Sequence, residues 1–437
     1  MTINTPLGLV QACAMIQNKQ LDAKLYLAEA IAQAEITEQY VQAFLERASL
    51  TQLSSQIKVG PLSGIPIAVK DIIATRDFPT TCGSPIYQGK IPENDATIVA
   101  KIRDLGGVIF GKTVTTEFAW RKPGPTTNPW NAEHTPGGSS SGSAASVASK
   151  AVPLAIGSQT IGSIIRPAAF CGVVGFKASF GAVARAGVFP VSKSLDHVGF
   201  FTRSVEDAAY AFNLLKNETC TEDDSIVIPR VSIEITNYQP RIAILKTPYD
   251  HLLSPEQVNA LSITCDALSN AGASIQEITL PQQFWDAMDA TFLIMACEAA
   301  IVHEIHLAHY PELLGKDIKE LIQKGLDHTP QEYAAALVLQ KELRDSIGEY
   351  FSSCDAFLTA PATGEAPKGL SSTGDPIFCW LWSLLGVPAI TLPVSTSSNG
   401  LPLGVQLISN YRQDETLLKV AAFTERAVAE YLQPSAT

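Results

Sequence analysis

Short apolar runs alternate with helix-length amphipathic stretches from one end of this chain to the other, and that alternation restricts the fold more than any other feature. Apolar runs read as strands at residues 65–69, 152–156, 241–245, 356–358, 389–392 and 405–408, with another at 108–110 that ends at Gly111. Helical spacing covers residues 6–50, where Leu21, Leu25, Ala28, Ile31 and Ala32 recur and Val41, Phe44 and Leu45 continue the pattern. It returns at 95–103 with Asp95 as N-cap, at 144–148, at 203–216, at 254–271, and through 284–350 with breaks near Pro311 and Pro330. The expectation is an α/β fold with a central mixed, mostly parallel β-sheet covered by helices on both faces. A chain of 437 residues exceeds the size at which one core usually stops growing, yet it has no repeat period and no linker between halves. A single large domain over residues 1–437 is therefore predicted.

Composition then removes several classes of function. Hydrophobic residues make up 46% and charged residues 17%, so the chain can bury a large core. No uninterrupted apolar run reaches the roughly 18 residues that span a bilayer, and the N-terminal stretch lacks the basic start and apolar run of a secretory signal, so no membrane partner is expected. The eight cysteines are scattered without a CxxC pair, which predicts free thiols and a cytoplasmic protein. Asn217-Glu218-Thr219 matches a glycosylation sequon, accidental in that compartment. A formal net charge of −12, with no cluster of Lys and Arg among aromatics, argues against nucleic acid as a partner.

Two small-residue loops carry the candidate chemistry: Gly137-Gly138-Ser139-Ser140-Ser141-Gly142-Ser143 and Gly157-Ser158-Gln159-Thr160-Ile161-Gly162-Ser163. Neither has the lysine of a P-loop or the GxGxxG spacing, and the first taken alone reads more readily as a flexible linker. A serine attacks an amide only if its proton has an acceptor and the oxyanion has donors. Glycine around Ser163 lets backbone N–H groups of Thr160, Ile161, Gly162 and Ser163 converge on one point. No histidine stands in a Ser-His-Asp pattern or beside a GxSxG elbow. His303, His306 and His309 are not HExxH and drift around a helix, so surface or interface histidines are expected and no metal site. Lys70, at the end of the apolar run 65–69, is the better base, because loss of solvation lowers its pKa; the alternative is an ion pair with Asp71 or simple exposure. Lys70 as a pyridoxal phosphate lysine needs a phosphate cup that the sequence lacks, and no cofactor is expected.

Taken in order, these segments resemble the amidase signature family across nearly the whole chain. Val69-Lys70-Asp71-Ile72 is similar to the family's lysine-bearing strand end, and Thr80-Thr81-Cys82-Gly83-Ser84, Asp95-Ala96-Thr97-Ile98-Val99 and Gly106-Gly107-Val108-Ile109-Phe110-Gly111-Lys112-Thr113 follow it. The signature itself resembles residues 137–145 and continues through Gly162-Ser163 to Pro167-Ala168-Ala169-Phe170-Cys171-Gly172-Val173-Val174-Gly175-Phe176-Lys177, a core of about residues 60–205. Gly386-Val387-Pro388-Ala389 and Gly400-Leu401-Pro402-Leu403-Gly404-Val405-Gln406 match near the end. The resemblance implies Ser163 as acyl-forming nucleophile, Ser139 as bridging serine after a cis peptide at Gly138, Lys70 as base, and Gly138 and Ser140 in support.

Three departures stand out, at Gln159, Ile161 and Ile165. Where many members read Asp-Thr-Gly-Gly-Ser-Ile-Arg, this chain reads Gln159-Thr160-Ile161-Gly162-Ser163-Ile164-Ile165, with Arg166 displaced by one. Backbone donation survives that change, but an Asp–Arg support does not. The resemblance leaves three readings: a hydrolase of a small amide, with a urea- or biuret-like substrate one candidate; the amidase subunit of a tRNA-dependent amidotransferase, which usually keeps the Asp-Thr-Gly-Gly form; and a silent binding protein. Oligomeric state is open, a homodimer included. Pocket residues are expected in 120–135 and 285–385, while Phe378, Trp380 and Trp382 read more readily as core than as pocket lining.

Overall fold

A computed structural model describes residues 7–220 and 222–432. Its eleven strands are β1 (Phe44–Arg47), β2 (Pro66–Lys70), β3 (Val108–Thr113), β4 (Leu154–Gln159), β5 (Val174–Lys177), β6 (His197–Thr202), β7 (Arg241–Lys246), β8 (Ser274–Thr279), β9 (Ala356–Thr359), β10 (Ala389–Thr396) and β11 (Pro402–Ile408). They form one sheet in the order β1-β3-β2-β4-β6-β5-β10-β11-β9-β7-β8. Every residue of β2, β3, β4, β5, β6, β9 and β11 is buried. That requires cover on both faces and explains why these strands read as continuous apolar runs without alternation. The outer strands β1 and β8 keep exposed positions.

The α/β class and the mixed sheet are as the sequence predicts, but parallel pairing is the minority. Only β2–β3, β2–β4, β7–β8 and β7–β9 run parallel. The six other pairings are antiparallel, and they occupy the middle of the sheet and the β1 edge. Links without a crossover helix accompany this: β6 follows β5 through a long helix-free segment and pairs with it antiparallel, and β10 returns directly as β11.

Local departures have equally local causes. The helical reading of residues 6–50 holds for Leu9–Gln17 and Ala23–Thr37, but Phe44 and Leu45 belong to β1, because pairing with Thr113 and Lys112 supplies partners that a helix end would not. Ala96, not Asp95, caps the helix Thr97–Asp104; the Asp95 carboxylate instead meets Arg103 Nε at 3.0 Å and the Arg76 N–H at 2.9 Å. Pro330 begins the helix Pro330–Ser346 instead of breaking one, since its missing N–H is unneeded there. By length and a mean hydropathy of 1.4 alone, the helical stretch Gln282–His309 is long and apolar enough to cross a membrane, but 56% of its most apolar window is buried inside the molecule, as in a core helix.

The parallel pairing of β2 with β4 matters most for the site. Val69 lies opposite Ile156, so both strands end on the same side of the sheet. Lys70 closes β2, Gln159 closes β4, and the segment after Gln159 leads into the helix Ile165–Cys171. Pockets form where parallel strands end. The helix Ser141–Ala148 lies against the same strands. It fits because Gly142 is small: a Cβ there would fall 2.2 Å from Ala43 O and 2.5 Å from Val114 N.

Candidate active site

Lys70 is completely buried, and its Nζ lies 2.7 Å from Ser139 Oγ and 2.9 Å from Ser158 Oγ. No carboxylate is within ion-pair distance of it among the described residues, so the expected alternative of a pair with Asp71 is not what forms: Asp71 Oδ1 faces Lys112 Nζ at 3.3 Å. Burial pushes the Lys70 amine down to about 7, opposed by the charge of Asp196. At neutral pH a substantial fraction is then uncharged and able to accept a proton. Asp196 is itself pushed up to about 6 by burial, against hydrogen bonds from Thr160 Oγ1 at 2.6 Å and the N–H groups of Val191 and Ser192.

Three lysines are buried this deeply, and their partners distinguish them. Lys112 donates to Ile73 O and Thr80 Oγ1 beside Asp71, and Lys177 donates to Val387 O at 2.5 Å. Of the three, only Lys70 faces serine hydroxyls, one of which, that of Ser139, belongs to a residue lining the cavity that holds Ser163.

The peptide bond Gly138–Ser139 is cis, as the resemblance implies. Ser140 Oγ donates to Ser158 O at 3.1 Å and accepts from the Ser158 N–H at 3.3 Å, tying the first small-residue loop to β4. Ser158, which the sequence reading passed over, is thereby held as the second neighbour of Lys70. Its signal was present in the second small-residue loop, but only the β2–β4 register reveals which side chain meets the lysine.

Ser163 lines one cavity with Ser139, Thr160, Ile161 and Arg166. Among the described residues, nothing accepts from the N–H groups of Ile161, Gly162 or Ser163. The next two, Ile164 and Ile165, both donate to Gln159 Oε1, at 2.9 and 3.0 Å. Gln159 therefore organises the turn with an amide oxygen, and three consecutive backbone donors stay free next to a serine hydroxyl. Thr160 turns its hydroxyl to Asp196. The missing Asp–Arg support has a substitute as well: buried Arg166 donates to Gly138 O at 2.7 Å and to Thr373 O at 2.7 Å.

The cavity, about 780 Å³, draws its walls from far along the chain. Trp120, Arg121 and Pro123 come from the first expected region; Met288, Phe292, Asp317, residues 371–377 and Trp380 come from the second. Trp380 is both core and wall, whereas Phe378 and Trp382 are buried beside it. The histidine expectation holds for exposed His309 but is corrected for the other two. His303 and His306 are buried, their Nδ1 atoms 3.0 Å apart, and His306 Nε2 lies 2.8 Å from the Tyr87 hydroxyl. Phe118 and Phe189 pack around both rings, which draws that face of the helix inward. No cluster of metal-ligating side chains occurs among the described residues.

For a chain with this fold and this cavity, comparison with known proteins defines the class of protein. The family model for Amidase matches residues 23–418, and the chain belongs to that family of hydrolases acting on C–N bonds. The A-type subunit of the glutamyl-tRNA(Gln) amidotransferase of Picosynechococcus sp. is 31% identical over 469 residues, covering 94% of this chain and 96% of that protein. A peptide amidase solved with the competitive inhibitor chymostatin has TM-score 0.84 at 26% identity, over 96% of this chain and 97% of its own. An inhibitor-bound complex connected with the origins of an s-triazine catabolic enzyme has TM-score 0.88 at 25% identity, over 97% of this chain and 99% of its own.

Proposed function

We propose that this protein is a cytoplasmic serine amidase, one domain acting on a small amide without a cofactor, with Ser163 as nucleophile. The observation that carries this reading is the buried Lys70 amine 2.7 Å from Ser139 Oγ, in a site that shares its cavity with Ser163. Neutral Lys70 takes the Ser139 proton as Ser139 takes that of Ser163, and Ser163 Oγ bonds to the amide carbon. The negative oxygen so formed is met by the free N–H groups of the 161–163 turn, and Thr160 shapes that turn through Asp196. The C–N bond breaks as the proton returns from Lys70 through Ser139 to the departing nitrogen. Water then cleaves the Ser163 ester by the same relay, releasing carboxylate. A urea- or biuret-like substrate fits the structural likeness to the complex connected with s-triazine catabolism.

A second reading, the amidase subunit of a tRNA-dependent amidotransferase, is favoured by the 31% identity to such a protein. Against it stands Gln159 in place of the acidic residue usual there. Ammonia release from a screen of primary amides, ureas and amino-acid amides by the purified chain supports the first reading. Obligate dependence on a co-purifying second protein would replace it with the other. Ser163→Ala should abolish turnover, and Lys70→Ala should lower it by about 10³-fold or more because the members act as one unit. A Ser163→Ala protein that keeps most of its activity would remove the assignment.

A further inference from the structure

Arg166 carries a charge that the fold leaves uncompensated. It is 5% exposed, and no Asp or Glu lies within ion-pair distance among the described residues. Asp375, the acid whose field reaches it, is exposed at the cavity mouth and accepts from the Ile377 N–H at 3.0 Å. A guanidinium stays protonated even when desolvated, so the charge persists. Burying it alone is unfavourable, and such a group needs a reason.

Its surroundings supply one. Nε donates to Thr373 O, and Nη2 donates to Gly138 O and Thr373 Oγ1. Nη1 is buried without any partner among the described residues. It sits against Gly162, where a Cβ would come 3.0 Å from Nη1 and 2.9 Å from Pro376 Cβ. Arg166 thus brings an unneutralised positive charge to the cavity wall directly beside Gly162, whose own N–H is one of the three free donors. Resting on the function proposed above, we infer that Arg166 is a positioning residue whose charge, acting through Gly162, stabilises the oxyanion formed on attack by Ser163. A field from a fixed charge is strong where water is excluded. It favours a species that gains negative charge over a neutral substrate, so it acts on kcat and not on KM. The hydrogen bond to Gly138 O joins the same guanidinium to the peptide that presents Ser139.

A fluorophosphonate probe tests this without knowledge of the substrate, since Ser163 Oγ would bond to phosphorus and expel fluoride while the phosphoryl oxygen occupies the donor turn. R166Q removes the charge but keeps amide donors, and R166K keeps the charge. The expected result is Ser163 labelling at least about 30-fold slower in R166Q, with R166K within about fivefold of the parent, both melting near the parent temperature. On the amide found by ammonia release, kcat should fall with KM within about threefold. Labelling of R166Q at the parent rate, or R166K as slow as R166Q, overturns the inference. Should R166Q fail to fold, a 30-fold loss in folded R166K does so alone. Failure of the parent protein to label at Ser163 instead removes the underlying functional reading.

Discussion

A lysine chosen as a base must be both neutral enough to accept a proton and close enough to receive one, and these are separate requirements. Lys70 and Lys177 are both pushed down to about 7 by burial. Only Lys70 has serine hydroxyls within 3 Å, at 2.7 and 2.9 Å. The sign of the pH dependence follows: protonated Lys70 cannot act as base, so kcat/KM should rise as pH increases through about 7 and then level off. A profile flat from pH 5 to 9 would contradict the assignment. Ser158→Ala removes one of the two neighbours of Nζ while leaving Ser139 in place. One lost hydrogen bond of about 1.4 kcal/mol corresponds to a tenfold loss of kcat, measurable by ammonia release.

At the scale of elements, the decisive unit is β4 with the turn that follows it. A single side chain, Gln159, accepts from two consecutive N–H groups and donates to Ser383 Oγ at 3.2 Å. Gln159→Ala leaves two buried donors without partners and should destabilise the protein by about 2 kcal/mol or more in urea titration, with turnover reduced as the turn relaxes. Gly162→Ala should also cut turnover by more than about tenfold, because its Cβ would meet Pro376 Cβ at 2.9 Å in the wall opposite the turn. The proposal for Lys70, Ser139 and Ser163 came from the ordered resemblance to the family, since a small-residue loop taken alone also reads as a linker. Ser158 and the working role of Arg166 were not legible in the sequence, because each depends on which chain segment lies across from it. Phe44 and Leu45 were misplaced in a helix for the same reason: the short run pairs with β3, and pairing overrides local spacing.

For the molecule as a whole, the site rests on a buried ionic pair behind it. Asp71 and Lys112 are 3.3 Å apart with side chains 0% and 1% exposed, and Lys112 reaches Ile73 O while Asp71 accepts from the Thr81 N–H at 3.0 Å. Asp71→Ala strands the lysine charge and should cost about 3–5 kcal/mol, read as a lowered melting temperature. A change below about 1 kcal/mol would show that the pair is not needed for stability. The sequence by itself determined the α/β class and the family, because apolar periodicity and ordered small-residue loops are local properties written along the chain. The tertiary structure alone decided that antiparallel pairing dominates the sheet, that His303 and His306 face inward, and that cavity walls from residues 116–123, 288–317 and 363–380 enclose Ser163. Those outcomes depend on contacts between segments far apart in the chain, where the preference of any one segment is weaker than the packing that overrules it.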